Sequence, residues 1–287
     1  MKNILIFGSN GFLTTNLRYR FNNNHNIKYA GSKNFDFKFN YQQEDLEKIL
    51  NQNHFDLILN CIGCADIDEC EKNKNLAYRL NCEFPSYLIK SLNKYKRKTK
   101  IIHISTDHFY DSDNFSTEKE IKIINYYSET KLLGEKILMD YDSLILRTNF
   151  IGKSLHPTKT SLTDWFFYNL QNNIPFNAFS DIYFTPLSFH SLAIIIQLIF
   201  DNFQYGIFNL GSVGSISKFD LANNLAIIMK KENLINKISS DNLFQTKRAK
   251  NMSMNCDLFS NVFKYKLPSI DDEISNVYNE YLSKSIF

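Results

Sequence analysis

Tyr127 and Lys131 are four residues apart in the run Tyr-Tyr-Ser-Glu-Thr-Lys (126–131), a spacing that places both side chains on one face of a helix. A lysine ammonium beside a phenol stabilises the phenolate, so the tyrosine ionises more easily than a free phenol, whose pKa is about 10. Tyr127 could therefore protonate a carbonyl oxygen as a general acid. Because this spacing alone is weakly specific, its meaning depends on two other motifs.

The first of these motifs is a glycine-rich turn near the N-terminus. Gly8-Ser-Asn-Gly11 follows the apolar run 4–7 and precedes a helical pattern that starts at Phe12, which is the context of a dinucleotide-binding turn. Gly8 allows a tight turn, and Gly11 lets the backbone approach a pyrophosphate at the helix N-terminus. Thr14 stands where a third glycine is usual, and we expect its Cβ to move the helix slightly from the sheet. The alternative interpretation is a strand–helix turn without a ligand.

The end of the second predicted strand bears on the choice of dinucleotide. The sequence there is Ala-Gly-Ser-Lys (30–33), which lacks the carboxylate that would bond the ribose 2′-hydroxyl of NAD. Ser32 and Lys33 could instead receive a 2′-phosphate, so NADP(H) is favoured over NAD(H). The alternative for Lys33 is an exposed loop lysine.

The second motif is Ser-Thr-Asp (105–107), at the end of the predicted strand 101–105. In an open α/β sheet, ligands bind outside the carboxyl ends of the strands. A hydroxyl there could bond a substrate carbonyl beside Tyr127, while Lys131 would bond the nicotinamide ribose and lower the Tyr127 pKa. The cofactor would carry the hydride, and the protein would supply orientation and the proton. Taken alone, the motif is most simply a helix cap or turn.

Short apolar runs alternate with helical patterns over the first 150 residues. The predicted strands are Ile4–Phe7, Ile27–Ala30, Asp56–Asn60, Ile101–Ser105 and Ser143–Arg147. The predicted helices are Phe12–Asn22, Gln43–Asn51, Lys74–Lys94 and Tyr127–Asp140. This alternation predicts a Rossmann-type, doubly wound parallel sheet covered on both faces, with right-handed crossovers.

The pattern changes after Arg147, which suggests a second domain. We expect an NAD(P)-binding domain over 1–150 with a later return of roughly 186–210, and a smaller C-terminal α/β substrate-binding domain over 151–185 and 211–287. Its predicted elements are helices at Asp164–Gln171, His190–Phe200, Lys218–Lys231 (with Ser217 as N-cap) and Asp271–Leu282, a loop from Pro175 to Pro186, and a strand at Gly206–Leu210.

Composition excludes several classes of protein. With 44% hydrophobic and 22% charged residues among 287, the chain is typical of soluble globular proteins, and a net charge of +3 argues weakly against nucleic-acid binding. No run approaches the about 20 apolar residues of a membrane span, so we expect a cytoplasmic protein without a membrane partner. Cys61-x-x-Cys64 suggests a zinc or redox site, but no second pair at ligand spacing accompanies it. We therefore expect reduced thiols and no metal.

Together these residues resemble an extended short-chain dehydrogenase/reductase and, within that superfamily, the dTDP-4-dehydrorhamnose reductase family. The matching segments follow the family's order and are Gly8-x-x-Gly11, Asn60 to Glu71, Asn81, His103-Ile-Ser-Thr-Asp107, Tyr127-x-x-x-Lys131-Leu-Leu-Gly134-Glu135, Leu146-Arg-Thr148, Asp181 to Pro186, Gly206-Ile-Phe-Asn209 and Arg248. The resemblance extends over nearly the whole chain and is stronger before residue 150.

The resemblance implies that Thr106, Tyr127 and Lys131 form a catalytic triad. It also implies NADPH-dependent reduction of a 4-keto nucleotide sugar to a 6-deoxyhexose, in surface-polysaccharide synthesis. Sugar-nucleotide dehydratases of the superfamily carry glutamate where this chain has His108, so reduction is favoured over loss of water. His108 could still donate a proton, and the alternative is a packed histidine.

The candidate ligand contacts fall into two groups. The candidate cofactor contacts, besides Tyr127 and Lys131, are Gly8, Asn10, Gly11, Phe12, Leu13, Ser32, Lys33, Cys61, Ile62 and Gly63. The candidate substrate contacts are Asp107, His108, Asn149, Trp165 and Arg248. Trp165 belongs to an aromatic run, 165–168, that could stack on a nucleotide base, although such clusters more often form core. The expected partner is a nucleotide sugar, with a homodimer as one option for assembly.

The sequence departs from the family where the sugar and the nicotinamide should be recognised. Gly63-Cys64-Ala65-Asp66 replaces a segment in which the family has an aromatic and a hydroxyl residue. An epimerase or dehydratase acting on a nucleotide sugar stays open as an alternative, as does a non-catalytic NADP-binding regulatory subunit. The intact set of Thr106, Tyr127 and Lys131 disfavours the subunit, because a pure binding module does not need the Tyr–Lys pair.

Overall fold

In the computed structural model, which describes residues 1–22, 24–33 and 35–283, fourteen strands are present within those ranges. In chain order they are β1 (Asn3–Phe7), β2 (Asn26–Gly31), β3 (Phe37–Lys38), β4 (Leu57–Asn60), β5 (Lys100–Ile104), β6 (Ser143–Thr148), β7 (Phe150–Ile151), β8 (Phe176–Phe179), β9 (Tyr183–Phe184), β10 (Leu187–Ser188), β11 (Gly206–Leu210), β12 (Ile216–Ser217), β13 (Ile235–Ile238) and β14 (Asn251–Met252).

Helices connect most of these strands. They are α1 (Phe12–Arg18), α2 (Gln43–Gln52), α3 (Ile67–Lys72), α4 (Lys74–Tyr78), α5 (Phe84–Lys94), α6 (Tyr126–Met139), α7 (Leu162–Gln171), α8 (Phe189–Asp201), α9 (Lys218–Met229), α10 (Asp257–Phe263) and α11 (Ile270–Leu282), with a π-helical turn at Arg79–Glu83 and a 3₁₀ turn at Glu232–Leu234.

The largest sheet has seven strands in the order β11-β6-β5-β4-β1-β2-β3. The strand pairs from β3 to β6 run parallel, and Phe7, Asn60 and His103 lie side by side at the carboxyl ends of β1, β4 and β5. The order reverses between β1 and β4, which is where a doubly wound sheet opens to a ligand. The predicted Rossmann-type sheet is confirmed.

Apolar residues on both faces of the central strands explain why the sheet forms here. Residues 4–7 of β1 are fully buried, and a core cluster joins Leu5 and Phe7 to Leu46 of α2 and Leu88 of α5. Strands buried on both faces need continuous apolar sequence instead of alternation, as β1 and β4 show.

Two of the predicted helices end or break differently. The helix predicted over 12–22 ends at Arg18, where the N–H of Arg20 bonds Leu17 O in a tighter, three-residue turn and the N–H of Phe21 bonds the same oxygen. The helix predicted over 74–94 is interrupted by the π-helical turn, which inserts an extra residue and buries Asn81.

The chain divides into two compact units. The first consists of Met1–Thr106, Ile123–Arg147 and Gln197–Phe208, and it contains the carboxyl ends of β1, β4 and β5. The second consists of the described parts of 107–122, 148–196 and 209–287.

Small sheets organise the second unit. They pair β10 with β7, β9 with β12 and β14, and β13 with β8. The prediction of a loop from Pro175 to Pro186 is wrong, because β8 and β9 lie within it. Strands this short that also lack a continuous apolar run carry too little pattern to be recognised in sequence. Ser217 caps α9 as predicted, since its hydroxyl accepts from the N–H of Asp220 at 2.9 Å.

Close packing between α6 and the π-helical turn requires a glycine. A Cβ placed on Gly134 would overlap the backbone oxygen of Asn81. We expect Gly134→Ala to destabilise the fold by about 1–3 kcal/mol, since overpacking outweighs the about 0.5–1 kcal/mol that alanine gains over glycine within a helix. Urea unfolding measures the difference. Met139→Ala, at an exposed position of the same helix, is the control, and an equal effect of both substitutions would contradict the packing argument.

Candidate active site

The turn after β1 has the shape of a phosphate cradle. Gly8 has a φ of +86°, and a Cβ there would lie 3.0 Å from the backbone of Cys61, while a Cβ on Gly11 would lie 2.8 Å from Gly8 O. Gly11 is also the N-cap of α1, whose first turn carries neither an acidic residue nor a side-chain cap. The N–H groups of that turn therefore face outward without a competing carboxylate, an arrangement that fits a pyrophosphate.

Asn10 connects this turn to the end of β2. Its Oδ1 accepts from the N–H of Ser32 at 2.7 Å and from the Ser32 hydroxyl at 3.1 Å. A Cβ on Gly31 would lie 2.6 Å from the same oxygen, so this approach needs a glycine. Ser32 and Lys33 are exposed. The carboxylate of Asp36 is already engaged by the protein, because it accepts from the N–H of Tyr29 in β2 at 2.8 Å. Ser32 already donates both its N–H and its hydroxyl to Asn10, so the exposed Lys33 is the member of this pair that fits a phosphate on the ribose.

The segment that follows β4 is held in place by Asn81, a residue that sequence reasoning noted only as part of the resemblance. Its Oδ1 accepts from the N–H of Cys64 at 2.8 Å, and its Nδ2 donates to Cys64 O at 3.1 Å and to the Thr130 hydroxyl at 3.0 Å. A Cβ on Gly63 would lie 3.9 Å from Lys131 Nζ. Asn81 thus holds Gly63, and with it the candidate contacts Cys61 and Ile62, beside α6.

A capping box defines the start of α6. Asn125 Oδ1 accepts from the N–H of Ser128 at 3.0 Å, and the Ser128 hydroxyl accepts from the N–H of Asn125 at 3.3 Å. Tyr127 and Lys131 follow on one face of this helix, and both are buried.

Lys131 lies in a dry environment at the end of β5. Its Nζ donates to Ile104 O at 2.7 Å, and only 4% of the residue is exposed. Burial lowers the pKa of this amine to about 8, although the Glu135 carboxylate opposes the shift. The lysine therefore changes charge much closer to neutral pH than an ordinary lysine does.

The hydroxyl of Ser105, directly after β5, is bound to a buried ion pair. The Ser105 hydroxyl donates to Glu135, whose carboxylate also accepts from Arg147 Nε at 3.0 Å and from Arg147 Nη2 at 2.6 Å. The Ser105 hydroxyl is thus engaged within the protein. Sequence reasoning missed this network, although two charges within otherwise buried segments are a signal for it.

The second unit contains its own polar cluster. The buried carboxylate of Asp107 accepts from Asn149 Nδ2 at 2.7 Å, and its Oδ1 lies 4.0 Å from His108 Nε2. Burial raises the pKa of Asp107 and lowers that of His108. Burial, followed by the positive charge of Arg248, lowers the pKa of Lys218. Lys218 has no sequence motif that would have singled it out.

The aromatic run of α7 divides between core and surface. Phe166 and Phe167 are buried, as the core interpretation predicts. Trp165 is 44% exposed and packs edge-on against Phe176 at a centroid distance of 5.0 Å, while Tyr168 is 62% exposed. Trp165 therefore retains an accessible ring face.

Three further features concern metal binding, membrane spans and cysteines. Within the described ranges, no three His, Cys, Asp or Glu side chains converge as metal ligands would. None of the helices in that part of the chain combines the length and apolarity needed to cross a membrane. All five cysteines carry free thiols.

Comparison with curated proteins finds distant relatives. The chain is 27% identical over 193 residues to "Probable low-salt glycan biosynthesis reductase Agl14" of Haloferax volcanii, a match that covers 65% of this chain and 64% of that protein. It is 31% identical over 114 residues to a dTDP-4-dehydrorhamnose reductase of Escherichia coli (strain K12), over 37% of this chain and 38% of that protein. The matches thus span less than two thirds of either relative.

Comparison with solved structures shows the fold. The crystal structure of dTDP-4-dehydrorhamnose reductase from Bacillus anthracis, in complex with NADP, has a TM-score of 0.85 at 20% identity and covers 97% of this chain and 99% of that chain. The corresponding protein from Clostridium acetobutylicum has a TM-score of 0.86 at 20% identity, over 98% and 100% of the two chains.

The chain also matches a protein family over almost its whole length. The family described as "RmlD substrate binding domain" matches residues 1–283, which is almost the complete sequence. The family resemblance stated from the motifs is therefore confirmed, and the protein belongs to the RmlD substrate-binding domain family.

Proposed function

We propose that the protein is an NADPH-dependent reductase of a 4-keto deoxyhexose nucleotide sugar, acting in deoxysugar or surface-polysaccharide biosynthesis. The observation that carries this proposal is the buried pair Tyr127 and Lys131 on one face of α6, in the same unit as the glycine cradle after β1. Relatives named as dTDP-4-dehydrorhamnose reductases support the substrate class.

The cradle residues would hold the cofactor. The backbone from Gly8 to Leu13 fits the pyrophosphate, and Ser32 and Lys33 would contact a 2′-phosphate. The segment 61–63 would border the nicotinamide. NADPH bound there would supply the hydride, and the NADP complex of the Bacillus anthracis structure supports the choice of NADP(H) over NAD(H).

The chain's own residues would manage the proton. The Tyr127 hydroxyl would donate to the carbonyl oxygen, and the Lys131 ammonium would stabilise the resulting phenolate. Lys131 would also bond the nicotinamide ribose. Thr106 would donate a hydrogen bond to the same carbonyl oxygen, in keeping with the catalytic role that the family resemblance implies, while the Ser105 hydroxyl donates to Glu135.

We assign the substrate contacts to the second unit, in line with the predicted domains at 1–150 with a return near 186–210, and at 151–185 with 211–287. Burial, followed by the positive charge of Arg248, lowers the pKa of Lys218. A bound diphosphate would relieve the repulsion between these two cations. Trp165 would stack on the base, and Asp107, His108 and Asn149 would contact the sugar.

Turnover of NADPH with 4-keto nucleotide sugars tests this function. We expect NADPH oxidation with dTDP-4-dehydrorhamnose or a 4-keto sugar on another nucleotide, and slower oxidation of NADH. Parallel assays without sugar correct for background oxidation. NADP binding without turnover on any member of the panel would contradict the proposal and would favour a regulatory subunit.

A further inference from the structure

His103 is a buried polar residue in the core of the first unit, and it belongs neither to the proposed cofactor contacts nor to the proposed substrate contacts. It is the fourth residue of β5 and lies beside Asn60 of β4 in the parallel register of the two strands. Both side chains are fully buried in strands that are otherwise mostly apolar. Buried polar groups of this kind need hydrogen-bond partners, so the partners determine how each group is oriented.

The orientation of Asn60 follows from its contact with Ile62. The N–H of Ile62 lies 3.0 Å from Asn60 Oδ1, and an N–H can only donate, so this atom of the amide is the oxygen. The Asn60 Nδ2 therefore faces His103 Nδ1, at 2.9 Å. Because Nδ2 is a donor, Nδ1 must accept, and the single proton of the neutral imidazole lies on Nε2.

The other ring nitrogen faces the amine of Lys131. His103 Nε2 lies 3.4 Å from Lys131 Nζ, while the same Nζ donates to Ile104 O. Burial and the Lys131 charge both lower the pKa of His103 well below its ordinary value, which keeps the ring neutral. A ring N–H that faces the amine disfavours the ammonium and favours the neutral amine, whose lone pair can accept.

The remaining titratable groups around Lys131 do not provide a similar contact. Glu135 is on the same helix and favours the ammonium, but its carboxylate is already paired with Arg147. Cys61 and Cys70 also favour the ammonium, yet burial raises the Cys61 pKa to about 12, and the hydrogen bond with Cys64, followed by burial, raises that of Cys70, so both thiols stay neutral.

We propose that His103 is a positioning residue for Lys131, held by Asn60 in the tautomer that presents Nε2–H to the lysine amine. The Asn60–His103 pair thereby favours loss of the ammonium proton of Lys131. Lys131 acts with Tyr127 only if the proposed reductase function is correct. Both members lie within the sheet, so their effect is transmitted through the lysine and not through contact with a ligand.

Nitrogen-15 NMR of the full chain tests the tautomer directly. In the native protein we expect Nδ1 of His103 to be the unprotonated ring nitrogen and Nε2 the protonated one. The reverse assignment in the native protein would overturn the proposal. This measurement does not depend on turnover, so it separates failure of the proposal from failure of the reductase function.

Asn60→Asp provides the second test, because a carboxylate cannot donate to Nδ1. The ring proton should move to Nδ1, which leaves the Nε2 lone pair to accept from the Lys131 ammonium. We expect the Lys131 pKa, followed through the carbon-13 shift of its Cε, to rise by about one pH unit or more. If the enzyme turns over, the alkaline limb of kcat/KM should move by the same amount.

A double variant separates the tautomer from the added charge. Asn60→Asp with His103→Phe keeps the carboxylate and removes the imidazole acceptor, so its Lys131 pKa should lie below that of Asn60→Asp alone. Equal Lys131 pKa values in the single and double variants would overturn the proposal. Asn3→Asp makes the same chemical change at the exposed start of β1 and should leave the Lys131 pKa at its native value.

Discussion

Replacing Tyr127 with phenylalanine is expected to lower kcat by about 10²–10⁴-fold, which is the usual contribution of a positioned general acid. The substitution removes one hydroxyl from a side chain that is buried beside Cys64, Ile67 and Cys70, and it keeps the ring that packs there. NADP affinity and folding stability should therefore change little. Initial rates of NADPH oxidation, together with NADP titration of both proteins, measure the effect.

Tyr126→Phe is the matched control for this prediction. Tyr126 is the preceding residue on the same helix, is only partly buried, and has Lys74 Nζ 5.0 Å from its ring centroid. This variant should turn over at a rate close to that of the native protein. A Tyr127→Phe enzyme with native kcat would show that another group supplies the proton.

Replacing Glu135 with leucine is expected to destabilise the fold by about 3–5 kcal/mol, because it leaves the Arg147 guanidinium buried without a counter-charge. The residue is fully buried, and Arg147 is 1% exposed. The substitution also removes the acceptor of the Ser105 hydroxyl. Denaturant unfolding of the two proteins measures the loss.

The double variant Glu135→Leu with Arg147→Met should recover much of that loss, since an apolar pair of similar volume avoids the unpaired charge. Glu47→Ala is the control, because Glu47 forms an ion pair with Lys94 whose side chain is 56% exposed. Its effect on stability should be much smaller. Equal losses for Glu47→Ala and Glu135→Leu would contradict the account of a buried pair.

The helical spacing of Tyr127 and Lys131 was sufficient to place them on one face of a helix, and the structure shows that this face is buried. Glu135 continues the same spacing on α6, yet its partner could not be predicted, since Arg147 approaches it from strand β6. Similarly, a hydroxyl after β5 was predicted to contact the substrate, but the hydrogen bond from Ser105 to Glu135 could not be predicted. Pairings across elements depend on tertiary packing, which periodicity does not encode.

Sequence reasoning missed two kinds of element, each for its own physical reason. The π-helical turn at Arg79–Glu83 lies within an uninterrupted helical pattern, and one extra residue leaves that pattern almost unchanged. β8 and β9 are short strands that form because β13, β12 and β14 pair with them. By contrast, β1 and β4 near the cofactor cradle are continuous apolar runs bounded by glycine or polar residues, which are clearer signals in a sequence.

Transfer of deuterium from the cofactor to the sugar tests the central claim most directly. The protein would be incubated with the 4-keto nucleotide sugar of the panel that supports NADPH oxidation and with NADPH deuterated at the transferable position of the nicotinamide, and the product analysed by mass spectrometry and NMR. We predict a 4-hydroxy product that carries one deuterium at C4 and is formed in equal amount to the NADP produced. A sugar that is recovered unchanged, or altered without deuterium at C4, would contradict a reductase.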